Sequence, residues 1–333
     1  MRIKHLMTFA LAGVATATLG NASAVTLRMA TKVSPESPEG QVNQKFAELV
    51  EERTNGEVEL DIYWSEQLGD AQSSLEQVSS GIIDIYSEDI TYLEKWNPDI
   101  SWVGAPFVFD DREHWTCFLS GDYFGDMLQK ATEESGITTI GKVGPVVRGP
   151  YRVILSTDPI ENIDDIENLK LRIWDNQLMV DVWSALGAEV RVLGWTDVYQ
   201  SIQTGIVESV TSPASLIEPM KFTEVAPHVM RTDEFNQAVT YMINEDSWGK
   251  LDDGEQAGVL EAYEEAGEYS QTLVQNLTDE ALERLTGKGV TYGELDTGPF
   301  VERTQAIYEE RASRGEIPDG FLEAVDAARA ACG

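Results

Sequence analysis

The chain has 333 residues, 58 of them acidic against 24 basic, for a formal charge of −34. An excess of that size, with no basic run, excludes a protein that holds nucleic acid by neutralising phosphates. The 42% of hydrophobic residues suffices for packed cores in two domains of ordinary size. Residues 1–24 begin with Arg2 and Lys4, continue as an apolar run from Leu6 to Leu19 and end in Ala22-Ser23-Ala24, the pattern of a secretory signal cut after Ala24. That run is too short to span a bilayer, so the mature chain is expected to be exported and soluble. Losing Arg2 and Lys4 leaves 22 basic and 58 acidic residues, a charge of −36.

Val25 to Ala30 reads as a strand with Leu27 and Met29 on one side, followed by a polar loop carrying Lys32. Val42, Phe46, Leu49 and Val50 have helical spacing in a segment closed by Asn55-Gly56, and Val58, Leu60 and Ile62 then alternate as a strand. After a helix at 75–80 stopped by Gly81, Ile82 to Tyr86 forms a short apolar strand running into Glu88 and Asp89. These two carboxylates either face a ligand cleft at the strand's carboxyl end or cap the following turn. An apolar strand region from Gly141 to Leu155 is broken at Gly149-Pro150 and carries Arg148 and Arg152.

The stretch from Asp158 to Pro213 is a β-α-β-α unit. A strand ends in Leu171-Arg172-Ile173, a helix follows with Met179, Val182, Trp183 and Leu186 on one face, and Gly187 stops it. A second strand at 189–192 leads to a polar loop with Trp195 and a second helix. Arg172 therefore stands at the mouth of a sheet beside a helix start, where open α/β folds bind ligands. A helix is expected at 215–223 and a strand at 239–243 preceded by Phe235-Asn236; 254–285 is a long acidic helix with an apolar stripe.

Cys117 and Cys332 suit no metal motif; in an exported chain they either pair as a structural disulfide or remain two buried thiols. His114 and His228 have no neighbours at ligand or triad spacing, and no Gly-x-Ser-x-Gly elbow or zinc-type histidine pair is present. Neither a metal, a cofactor nor catalysis is expected.

Several runs in this order resemble one family. Gln67-Leu68-Gly69, Gly81-Ile82-Ile83-Asp84, Pro106-Phe107-Val108-Phe109, Asp158-Pro159-Ile160, Leu169-Lys170-Leu171-Arg172-Ile173, Ala185-Leu186-Gly187-Ala188, Trp195-Thr196-Asp197-Val198-Tyr199 and Gln203-Thr204-Gly205-Ile206-Val207-Glu208 are similar to the DctP-type solute-binding proteins of tripartite ATP-independent periplasmic (TRAP) transporters. The resemblance implies an α/β, two-lobed periplasmic binding protein with hinged domains, 25–149 plus 238–278 and 150–237 plus 279–333, and a long helix spanning both lobes. It implies a monomeric periplasmic receptor that binds a small carboxylate or zwitterion and delivers it to membrane permease subunits. A receptor for an ABC importer or a sensor, or a secreted enzyme, are the other classes of this architecture.

The family's principal arginine matches Arg172 and its second ligand-facing arginine matches Arg152, whereas Arg148 is expected outside the pocket. Arginine suits the task because its planar fork donates two parallel hydrogen bonds to a carboxylate and keeps its charge. The alternative for Arg172 is an ion pair with Asp175 or Asp197. Trp195 matches the aromatic pocket wall and Trp174 stands where many relatives have a smaller residue; both are otherwise core. Ser212 replaces a ligand-reading amide, which unsettles the usual dicarboxylate and sialic acid assignments. Glu88, Asp89, Lys32 and Asn236 complete the expected ligand-binding set.

Overall fold

The computed structural model describes residues 24–332; the expected signal segment lies outside them except for Ala24. The chain begins with β1 (Val25–Thr31), α1 (Pro38–Arg53), β2 (Val58–Tyr63), α2 (Ala71–Ser79) and β3 (Ile85–Glu88). Alternation in β1 buries Leu27 and Met29 against Val42, Phe46 and Val50 of α1, which is why this stretch folds as strand, helix, strand. Ile82, expected inside a strand, is 56% exposed, because Gly81 turns left-handed (φ 72°) and delays β3 until Ile85.

Beyond a pair of 3₁₀ turns (90–95 and 98–104) come α3 (Arg112–Leu119), α4 (Asp122–Ser135) and β4 (Ile137–Thr139). The apolar region 141–149 is not a strand: Gly141 and Gly144 take positive φ, and Val147 makes only an isolated bridge to Ala238. This segment is a crossing to the second sheet.

The second half contains β5 (Arg152–Ser156), β6 (Lys170–Ile173), α5 (Gln177–Ala185), β7 (Glu189–Val192), α6 (Val198–Gln203), β8 (Ser209–Pro213) and β9 (His228–Arg231). The helix expected at 215–223 is replaced by two 3₁₀ turns, since Pro219 at its centre removes a donor and clashes with the preceding turn. Then follow β10 (Thr240–Asn244), α7 (Glu245–Trp248), α8 (Asp253–Thr286), β11 (Thr291–Glu294), α9 (Gly298–Ser313) and α10 (Phe321–Cys332). No helix among the described residues is long and apolar enough to cross a membrane.

The strands form two sheets, β2-β1-β3-β10-β4 and β11-β9-β5-β8-β6-β7. In the first, β1 is parallel to β2 and β3, and β10 returns antiparallel to β3. In the second, β6 is parallel to β7 and β8, and β5 is antiparallel to β8. The carboxyl ends of β1, β3, β6 and β8 meet between the sheets. The 34-residue α8 is capped by Asp252 and Glu255 as a capping box. It packs on α1 of the first sheet through Val259 and Tyr263 and reaches the core of the second with Leu285.

Cys117 and Cys332 form a disulfide with Cα atoms 6.3 Å apart. Phe321 of α10 packs against Trp102 and Phe118 at 5.5 and 5.6 Å, beside α3.

Candidate ligand-binding cleft

Arg172 enters the cleft from β6, and its side chain is 3% exposed. Its Nε donates to the carbonyl of Leu193 at 3.0 Å, just past β7, and the guanidinium lies 5.4 Å from the centre of the Trp195 ring. No carboxylate among the described residues comes within 4.0 Å of it, so it pairs with neither Asp175 nor Asp197. Burial, chiefly, lowers its pKa to about 10; the group is still a cation at neutral pH. A buried, unpaired guanidinium is costly unless an anion joins it.

Arg152, at the first position of β5, lines the same cavity but is already satisfied. Its Nε meets Glu234 Oε1 at 2.8 Å, Nη1 donates to Gln237 Oε1 at 2.8 Å and Nη2 to Thr211 Oγ1 at 3.0 Å. The Phe235 ring covers its other face at 4.1 Å. The two arginines line one cavity, and each nitrogen of Arg152 already has a protein partner whereas Arg172 bonds only through Nε.

Lys32, in the loop after β1, reaches Glu88 Oε2 at 2.8 Å and lies 5.1 Å from the Trp195 ring. Trp195 is therefore shared by a cation from each sheet. Glu88 is not on the cavity wall: it is fully buried and also ion-paired to Arg148. Burial alone would raise its carboxyl, but Arg148 and then Lys32 hold it down at about 2. Arg148 is indeed off the cavity wall, yet it is the hub behind that wall, with Nε 2.9 Å from Glu39 Oε2 on α1. Its carbonyl accepts from Ser215 Oγ at 2.5 Å.

Asp89 takes the capping alternative, accepting from the Thr91 amide and hydroxyl at 2.9 and 2.5 Å. Ser212 is fully buried and donates to the Pro213 carbonyl at 2.9 Å. Its strand neighbours Thr211 and Pro213 line the cavity instead, since successive side chains point to opposite faces of a sheet. Asn236 lines an adjoining cavity of about 270 Å³ on the other side of Arg152, and Gln237 is the residue that reaches the central one.

Trp174 lines the cavity while tilted against Phe235 at 5.8 Å, and Trp195 does so while packed edge-on to Phe222 at 5.1 Å. The Trp195 indole N–H is buried without a partner. Tyr92, which sequence reasoning missed, completes the wall from the 3₁₀ turn after Asp89. Burial, then Glu88, pushes its phenol upward, so it remains a donor.

The space between these walls is about 20 Å³, room for about one water. Contacts close the cleft around it: Thr196 Oγ1 donates to Glu66 at 2.8 Å and Asn176 Nδ2 to Glu94 at 2.7 Å. A solute larger than water enters only if these contacts part.

The sequence model of the DctP family, described as bacterial extracellular solute-binding protein family 7, matches residues 29–314. The chain is 29% identical over 304 residues to a solute-binding protein of Sulfitobacter sp., covering 90% of this chain and 91% of that one. It is 28% identical over 315 residues to the sialic acid-binding periplasmic protein of Vibrio cholerae, covering 93% and 95%. Its fold matches that of a TRAP periplasmic solute binding protein of Roseobacter denitrificans with bound L-galactonate at a TM-score of 0.81, 25% identity, and 92% and 98% coverage. The chain belongs to the DctP family of bacterial extracellular solute-binding proteins and is a solute receptor of the TRAP type.

Proposed function

We propose that this receptor works in the periplasm after removal of residues 1–24, holds the carboxylate of a small organic acid on Arg172, and hands the acid unchanged to TRAP membrane permease subunits. The observation that carries the reading is the buried guanidinium of Arg172 without a carboxylate partner, inside a cavity formed by both sheets. Relatives and similar structures are named for, or hold, the carboxylic acids sialic acid, L-galactonate, D-glucuronate and L-fuconate, and one holds another anion, sn-glycerol-3-phosphate. Arg172 is the ligand clamp on this reading. Arg152 holds Thr211 and Gln237 in place, Lys32 and the tryptophans form the wall, and Glu88, Asp89 and Ser212 act from behind it.

The moving bodies are 25–149 with 238–278, and 150–237 with 279–320, the disulfide tying 321–332 to α3. Closure excludes water, which strengthens the arginine–carboxylate contact. The test is calorimetric titration of the mature protein with an organic-acid panel, with mass spectrometry of the recovered ligand. Saturable binding of an unchanged acid, lost in Arg172→Ala, supports the reading. Turnover of a bound acid, or no binding by any acid, overturns it.

A further inference from the structure

Tyr92 and Arg172 line one space from opposite sheets. Tyr92 stands in the 3₁₀ turn that follows β3 of the first sheet, whereas Arg172 stands on β6 of the second. No group among the described residues hydrogen-bonds the Tyr92 hydroxyl. Lys32, the other wall residue from the side of the first sheet, is already held by Glu88 at 2.8 Å, which neutralises its charge.

The size of the space decides what the hydroxyl meets. At about 20 Å³ it has room for about one water, hence for about one ligand oxygen, so in the closed cleft an oxygen that accepts from Arg172 also lies against Tyr92. The two groups are near enough to act on each other: the guanidinium works to lower the phenol's pKa, and the phenol works to raise that of the guanidinium. Burial and Glu88 outweigh Arg172 and keep the phenol protonated, so it donates and brings no negative charge of its own. Its natural acceptor is an ionised oxygen, which makes a shorter and stronger bond than a neutral one.

We infer that Tyr92 is the first-sheet half of the carboxylate clamp: its hydroxyl donates to an oxygen of the carboxylate that Arg172 holds, and this contact is completed only when the two sheets come together. The inference rests on the reading of Arg172 as the clamp. Arg172 belongs to one moving body and can capture the acid while the cleft is open. Tyr92 belongs to the other, and its bond to the same carboxylate holds the cleft shut.

The test uses the mature, disulfide-bonded protein, with acetate, pyruvate, succinate, L-fuconate, L-galactonate, D-glucuronate and sialic acid as probes in calorimetric titration and stopped-flow tryptophan fluorescence. Tyr92→Phe keeps the ring and removes the hydroxyl. It should weaken binding of the tightest of these acids by roughly 10- to 150-fold, the range for a hydrogen bond to a charged group. The loss should appear as faster dissociation, with association within about threefold of wild type. Without ligand the variant should unfold at the same denaturant concentration as the wild type or higher, because the lost hydroxyl has no protein partner. In an Arg172→Lys background the Tyr92→Phe loss should differ by at least about threefold from that in the wild type, as two groups on one carboxylate are coupled. Binding within about threefold of wild type, a lowered unfolding midpoint, a loss confined to association, or equal losses in the two backgrounds overturns the inference and leaves the receptor reading intact. No binding of any of these probes by the wild type overturns both.

Discussion

Arg172 and Arg152 line one cavity from neighbouring parts of the same sheet, and they are opposites in their bonding. Arg152 gives Nε, Nη1 and Nη2 to Glu234, Gln237 and Thr211, whereas Arg172 gives only Nε to a carbonyl and keeps its terminal nitrogens free. Their substitution should therefore separate stability from binding. Arg152→Ala leaves the fully buried Glu234 without its cation and should lower unfolding stability by about 3–5 kcal/mol. Arg172→Ala removes an uncompensated buried charge and should unfold at the same or higher denaturant concentration than the unliganded wild type. Its cost appears on ligand binding, about 2–5 kcal/mol or roughly 30-fold to several thousand-fold. Arg172→Lys should recover part of this, since one ammonium cannot reproduce the fork. Denaturation and calorimetry on the three variants check the pattern; an Arg172→Ala protein as destabilised as Arg152→Ala would contradict it.

Behind the wall, Arg148 joins Glu39 and Glu88 while Lys32 takes the other side of Glu88, a balanced group of two cations and two anions. Arg148→Met should cost about 3–5 kcal/mol of stability because it strands a carboxylate. Adding Glu39→Gln to Arg148→Met restores the balance and should recover a large part of that loss. Urea unfolding of the single and double variants measures it, and a double variant no more stable than the single would show that packing, not charge, dominates there.

How much of this was legible in the sequence divides along physical lines. The β-α-β-α unit around Arg172 was, because its apolar periods are local and short loops join its elements. The segment 215–223 forms 3₁₀ turns in place of the expected helix because Pro219 interrupts it. Ser212 and Asn236 each lie one residue from the side chain that reaches the cavity, Thr211 and Gln237. For Ser212, in a strand of period two, that offset is the difference between the two faces; Asn236 lies between β9 and β10, where no strand period applies. The role of Glu88 was hidden because Arg148 approaches it from 60 residues away, and no local pattern announces such a pairing. Tyr92 sits in a 3₁₀ turn whose spacing carries no amphipathic signal.

The disulfide links residues 215 apart in sequence and fastens α10 to α3. The loop-entropy relation gives about 5 kcal/mol for closing so long a loop, and native disulfides typically contribute about 2–5. Cys332→Ser should therefore melt well below the wild type, and reducing agent should lower the wild-type transition to that of the variant. A reduced wild type that melts with the oxidised one would show that Phe321 and its neighbours hold α10 without help.

Glu94 makes the closed cleft sensitive to pH. It accepts from Asn176 Nδ2 at 2.7 Å across the cleft, and burial, then Asp175, pushes its carboxyl from the ordinary 4.5 up to about 8. Asp89 adds further repulsion. With the lobes apart, the carboxyl is solvated and returns towards its ordinary value. Between those two values closing takes up a proton, so a falling pH favours the closed form and a rising pH opposes it. Affinity should therefore weaken as pH rises from about 5 to 8, by at most about tenfold per pH unit, and level off above 8 because Glu94 is then ionised in both forms. Glu94→Gln keeps a carbonyl oxygen for Asn176 and carries no charge, so it should bind more tightly than the wild type at pH 8 and lose the slope. Titration of both proteins with the tightest acid found, at pH 5.5 to 9, decides the matter, because that acid's own carboxyl stays ionised throughout. A variant that keeps the wild-type slope would place the titrating group elsewhere.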